Sequence, residues 1–125
     1  KEKVIFPMHP RTAQRVSEFS IKLPKNIKCT APQTYKQSLS LISNAKKVLT
    51  DSGGVQREAF WFNKPVIILR EETEWTEIVA KEAGVLVGSD KGKILEAIQS
   101  FNGKISPPPE YGAWGKIREA IYKHL

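Results

Sequence analysis

Residues 49–60, LTDSGGVQREAF, decide the fold. A short apolar strand ends at Leu49, a small flexible turn follows in Asp51-Ser52-Gly53-Gly54, and a helix is expected to open near Val55. Val55, Ala59 and Phe62 recur at i, i+4, i+7, the spacing of one helix face. In open parallel sheets, ligands sit beyond the carboxyl ends of the strands, which is where this turn falls. Two glycines let a ligand approach the backbone, and the first helical N–H groups have no acceptor within their own helix. With the helix dipole they form an anion site suited to phosphate. Glu58 follows Gly54 by one helical turn, ~6 Å along the axis on the same face. A diphosphate at the turn would place an attached ribose where Glu58 accepts hydrogen bonds from its hydroxyls. The plainer reading is an ordinary strand-to-helix turn with Glu58 in solvent. The pattern is neither GxxxxGK[ST] nor GxGxxG, so the expectations attached to those motifs do not transfer.

Outward from this turn the same rhythm repeats. Val4-Ile5-Phe6, Ile27-Lys28-Cys29, Val48-Leu49, Val66-Ile67-Ile68-Leu69 and Val85-Leu86-Val87 are short apolar runs, most of them rich in β-branched residues. Brevity and branching favour strands, and continuous apolarity suits parallel strands covered on both faces. Tyr35, Leu39 and Ile42 mark a helix with Thr34 as its N-cap, and Ile94, Leu95, Ile98 and Phe101 another after Asp90. Ile117, Ile121 and Leu125 mark a last amphipathic helix. Strand alternating with helix predicts an α/β domain, a Rossmann-like parallel sheet with helices on both faces. Only residues 102–113, with Pro107-Pro108-Pro109, break the rhythm and predict an extended connection.

The 125 residues suit one domain, 1–125, large enough to need no disulfide scaffold. A composition of 40% hydrophobic and 26% charged residues excludes wholesale disorder. No apolar run approaches a membrane span, and the N-terminus KEKVIFPMHP has too short an apolar stretch for a signal peptide. A lone Cys29 excludes an internal disulfide and a cysteine-based zinc site, and fits a reducing, cytoplasmic setting. The net charge of +7 lies wholly in residues 1–62, with 11 Lys and Arg against 4 Asp and Glu. An anionic partner is one consequence, a solvated basic surface the other. Aromatics do not interleave with the basic residues as a nucleic-acid stacking surface requires.

Two further strand ends carry candidate chemistry. Pro7-Met8-His9-Pro10-Arg11 follows the first strand, so His9 is expected at the carboxyl edge of the sheet beside the same crevice. An imidazole there donates to phosphate or moves a proton, and Arg11 adds charge; the plainer reading makes His9 structural. His124 is expected to serve only as favourable charge at a helix end, and with no second ligand-spaced His or Cys no metal site is expected. Arg70-Glu71-Glu72-Thr73-Glu74-Trp75-Thr76-Glu77 follows the fourth strand. Its acids could be helix N-terminal charge, while Trp75 offers a surface for a sugar or base.

Taken in order, PMHPRT, APQTY, LTDSGGVQREA, KPVIILREETEW and LVGSD resemble the C-terminal domain of the non-hydrolysing UDP-N-acetylglucosamine 2-epimerases, from about Val4 to the end. Tyr111-Gly112 before the last helix is similar as well. The resemblance implies the C-terminal half of a glycosyltransferase B fold, in which this domain holds most of the nucleotide. Carried over, Ser52, Gly53 and Gly54 would bind the diphosphate of UDP and Glu58 its ribose. Gln33 would lie by the uracil, and His9 would contact phosphate near the reacting sugar as a catalytic residue. Arg11, Arg70 and Trp75 are candidate sugar or phosphate contacts. The implied reaction inverts carbon 2 by eliminating UDP to a glycal-like intermediate and adding it back, with no metal and no nicotinamide cofactor.

Two positions depart from the best-known bacterial members: Trp75 stands where they have an arginine in a TER segment, and Ser38 where they have an aromatic residue near the uracil. Modified UDP-N-acetylhexosamines such as uronic acid derivatives therefore stay open as substrates. The resemblance also implies an N-terminal domain that supplies the acid and base, and a first strand–helix unit of this domain, both outside this sequence, which begins at Lys1. The chain alone is then expected to be inactive, and its parent a homodimer. The nearest rival is the nucleotide domain of a UDP-sugar glycosyltransferase; upstream acidic residues would discriminate against it. A basic nucleic-acid-binding module is the more distant one.

Overall fold

A computed structural model of the chain describes residues 2–104 and 112–125. The element order is β1 (Val4–Pro7), α1 (Pro10–Glu18), β2 (Ile27–Thr30), α2 (Tyr35–Asn44), β3 (Val48–Thr50), α3 (Gly53–Trp61), β4 (Val66–Ile68), α4 (Thr76–Ala80), β5 (Gly84–Leu86), α5 (Lys91–Ser100) and α6 (Gly112–His124). All five expected strands form, and every ladder among them is parallel. The hydrogen-bonded pairing falls into two sheets, β1-β2 and β3-β4-β5, rather than one continuous ladder. Two compact units accompany this division, residues 1–38 and 39–125.

The larger unit is organised around β4, whose three residues are fully buried between β3 and β5. Alternation along the strand sends Val66 and Ile68 to one face and Ile67 to the other. On the first face they meet Leu39 and Ile42 of α2, Ala59 of α3 and Phe62 just beyond it, with Val79 of α4 and Ile121 of α6 packed against them. On the second, Ile67 joins Val87 and Ala97 of α5, with Ile94 and Phe101 alongside. Helices thus cover both faces, as the continuous apolar run at 66–69 predicts. Phe62 also meets Tyr122 edge to face, with ring centroids 5.1 Å apart, which fastens α6 to the core.

The smaller unit holds β1 and β2 in register from Val4 opposite Ile27 to Pro7 opposite Thr30. Val4 and Ile5 are 42% and 38% exposed; α1 contributes no buried residue, and among the described residues β1 pairs with β2.

Helix starts follow local chemistry. Asp90 Oδ1 accepts the Lys93 amide at 2.7 Å and Thr34 Oγ1 that of Gln37 at 3.3 Å, as the sequence suggests. α3 begins at Gly53 rather than near Val55, because Ser52 is its N-cap and pulls both glycines into the first turn. The proline-rich connection expected over 102–113 lies largely outside the described residues, as does Tyr111. Among the described residues no helix is long and apolar enough to cross a membrane.

Candidate functional site

In the larger unit, β3 ends at Thr50 opposite Ile68, the last residue of β4, so the Asp51–Gly54 turn and the loop after β4 leave the same sheet edge. The turn is built by three hydrogen bonds. Thr50 Oγ1 accepts the Ser52 amide at 3.0 Å, Ser52 Oγ accepts that of Val55 at 3.5 Å, and Ser52 O accepts that of Gln56 at 3.0 Å. The Ser52 amide, expected to face a ligand, is therefore engaged within the turn. The Gly53 and Gly54 amides remain as the first two of the helix, without an acceptor inside it. Ser52 keeps a hydroxyl proton to donate, since its oxygen only accepts from Val55.

The two glycines differ. A Cβ on Gly53 would displace the Glu74 carboxylate, the far end of a flexible side chain, and lie in ordinary contact 3.4 Å from Trp75 Nε1. A Cβ on Gly54 would meet nothing closer than Ser52 Oγ at 3.9 Å. Glu58 stands half-buried on α3, four residues beyond Gly54.

Residues 70–75 form a loop, and only Glu77 lies in the first turn of α4, so the acids at 71, 72 and 74 are not helix N-terminal charge. The loop is tied down instead. Thr73 Oγ1 donates to Gln56 Oε1 at 2.6 Å and accepts the Trp75 amide at 3.1 Å, while Arg70 Nη1 pairs with Glu74 Oε2 at 2.9 Å. A hydrogen bond from its own backbone amide, then the charge and hydrogen bond of Arg70, hold the Glu74 carboxyl below its usual value against an opposing desolvation.

Sequence reasoning missed Gln56 and Arg57. The Arg57 guanidinium carbon lies 4.9 Å from the ring centroids of both Trp61 and Trp75. Trp61 stands one helical turn after Arg57, so the i, i+4 spacing was a readable signal for one half of this stack; the Trp75 half depends on how the loop folds back.

In the smaller unit, His9 is the N-cap of α1, with Pro10 at its first position. His9 Nδ1 accepts the Arg11 amide at 3.2 Å, which leaves the neutral ring's proton on Nε2, facing away from the cap. His9 thus caps α1, and a donor remains on its ring. His9 and Arg11 are exposed. Gln33, just past β2 at the same edge of the pair, donates Nε2 to Thr30 Oγ1 at 3.2 Å and to Ala31 O at 2.6 Å. Its Oε1 is left as an acceptor.

Parallel strands ending in a Gly-Gly turn that opens a helix define an α/β domain of the kind that takes ligands beyond its strand ends. The chain belongs to the UDP-N-acetylglucosamine 2-epimerase family, whose profile matches residues 1–122. A UDP-N-acetylglucosamine 2-epimerase homolog of Methanococcus maripaludis is 48% identical over 105 residues, 81% of this chain and 29% of that protein. The UDP-2,3-diacetamido-2,3-dideoxy-D-glucuronate 2-epimerase of Pseudomonas aeruginosa is 41% identical over 101 residues, again 81% of this chain and 28% of that protein. The crystal structure of Methanocaldococcus jannaschii UDP-GlcNAc 2-epimerase in complex with UDP-GlcNAc and UDP matches with a TM-score of 0.78 at 38% identity, over 98% of this chain and 36% of that one. The chain therefore spans between 28% and 36% of the length of these relatives. The glycosyltransferase B fold expected from the sequence is that of these epimerase structures.

Proposed function

We propose that this chain is the UDP-binding, C-terminal domain of an enzyme that inverts carbon 2 of UDP-N-acetylglucosamine to give UDP-N-acetylmannosamine. The observation that carries this reading is a family match over residues 1–122 that includes an intact Ser52-Gly53-Gly54 turn at the head of α3. The Gly53 and Gly54 amides, the Ser52 hydroxyl and the positive end of α3 receive the diphosphate, and Glu58 accepts hydrogen bonds from the ribose. Gln33 Oε1 accepts the uracil N3 proton. His9 donates Nε2–H to a phosphate oxygen near the breaking bond, with Arg11, Arg70 and Trp75 as further contacts.

Elimination of UDP across carbons 1 and 2 and its re-addition demand that the leaving group stay in place, so firm retention of the diphosphate is the share of catalysis this chain performs. The acid and base that move the carbon-2 proton belong to a domain outside this sequence, and the chemistry requires no metal or redox cofactor. The parent enzyme works as a cytoplasmic homodimer. The Pseudomonas relative's name favours a second substrate reading, a UDP-linked uronate. Amide-shift NMR during a UDP titration tests the assignment: shifts centred on Ser52, Gly53, Gly54, Glu58, Gln33 and His9 support it, and shifts confined to residues outside the assigned contacts overturn it.

A further inference from the structure

Among the described residues, three buried side-chain polar atoms have no hydrogen-bond partner, Gln56 Nε2, Arg57 Nε and Trp75 Nε1, and all three are donors. They belong to one cluster. Gln56 is fully buried and tied through its oxygen to Thr73, Arg57 stacks on the Trp75 ring, and Trp75 Nε1 lies 3.4 Å from the point a Cβ on Gly53 would occupy. A buried donor left unpaired costs about 1–3 kcal/mol, so three in one place, with no unpaired acceptor among them, mark a place for oxygen acceptors. The guanidinium between two indole rings adds a full positive charge in a fixed plane, held by cation–π attraction rather than by a carboxylate. The neighbouring carboxylate, Glu74, is paired with Arg70.

We propose that Arg57, held between Trp61 and Trp75, and the Trp75 indole N–H form a donor-only pair that receives an anionic oxygen group of the ligand bound at the Ser52–Gly54 turn. The pair rests on the UDP-binding reading above and deepens it. Arg57 delivers from α3 a positive charge beside Trp75. Two ligand groups present this chemistry, the terminal phosphate of the nucleotide and a carboxylate on its sugar.

The test is calorimetric titration of the 125-residue chain with uridine, UMP, UDP and UDP-glucuronic acid, comparing the wild type with Trp75→Phe and Arg57→Gln. Phenylalanine keeps an aromatic face for Arg57 to stack on and removes the N–H together with the five-membered part of the indole. Loss of one neutral or charged hydrogen bond predicts UDP binding weaker by about threefold to tenfold in Trp75→Phe and by about tenfold or more in Arg57→Gln, with uridine unchanged. If UDP weakens and UMP does not, the group is the terminal phosphate. If UDP is unchanged and only UDP-glucuronic acid weakens, it is the sugar carboxylate. Thermal melts accompany each titration, and if Arg57→Gln does not fold, Trp75→Phe decides alone. Unchanged affinities throughout, or equal losses that include uridine, overturn the pair while leaving the UDP site intact. A wild-type chain that binds no UDP overturns the site itself and the pair with it.

Discussion

Gly54 is a glycine that the folded chain does not require. A side chain there would meet open space, and glycine within a helix is less favourable than alanine by about 0.5–1 kcal/mol. A ligand that must reach the backbone supplies the missing reason. Gly54→Ala should therefore leave stability unchanged or raise it by up to about that amount while sharply weakening UDP, measured by thermal melts and titration. Gly53→Ala differs in that its methyl displaces the Glu74 carboxylate, so it should disturb the Arg70–Glu74 pair at little cost in stability. Glu58 is tested through the sugar it is assigned to. Glu58→Ala should cost about 1–3 kcal/mol in UDP binding and should erase the preference for UDP over its 2′-deoxy analogue. A preference that survives the substitution would remove Glu58 from the ribose. At this scale the sequence showed which residues stand at strand ends, because motif spacing alone sets that. It did not show that the Ser52 amide is consumed by Thr50, or that Arg57 stacks on Trp75, because both depend on the path of the turn and loop in space.

The loop 70–75 is the element that brings Trp75 to the turn, and Glu74 is one of its fastenings. The folded-state value of the Glu74 carboxyl is lowered, so its contribution to stability is present above its ordinary value of 4.5 and fades as pH falls through the lower folded value. Glu74→Gln should flatten the fall in melting temperature below pH 4.5 relative to the wild type; parallel curves would show that the pair holds nothing. On β4, Ile67 is fully buried among Val87 and Ala97, and Ile67→Ala should cost about 2–5 kcal/mol in chemical denaturation. The strands were legible because β-branched runs of three or four residues admit little else. The exposure of Val4 and Ile5 was not, because apolarity gives no sign of whether a neighbour is present to cover it. Nor did the run of acids at 71–77 reveal that the helix starts only at Thr76, since Glu has no strong preference between a loop and a first turn.

For the whole molecule, the proposal that this chain binds UDP while the acid and base lie in another domain predicts that it binds substrate and leaves it unchanged. Proton NMR of the anomeric signals of UDP-N-acetylglucosamine should show no epimer accumulating with the purified chain. Turnover would mean that the acid and base lie within these 125 residues. The parallel α/β class was legible from the alternation of runs and helical spacing, whereas the pairing of strands into two sheets was not, since pairing partners carry no local mark. The measurement that tests the central claim most directly is a calorimetric titration of the chain with UDP, set against uridine, inorganic phosphate and duplex DNA at one salt concentration. UDP should bind more tightly than uridine and phosphate, and more tightly than DNA. DNA binding more tightly than UDP, or uridine and UDP binding equally, would contradict it.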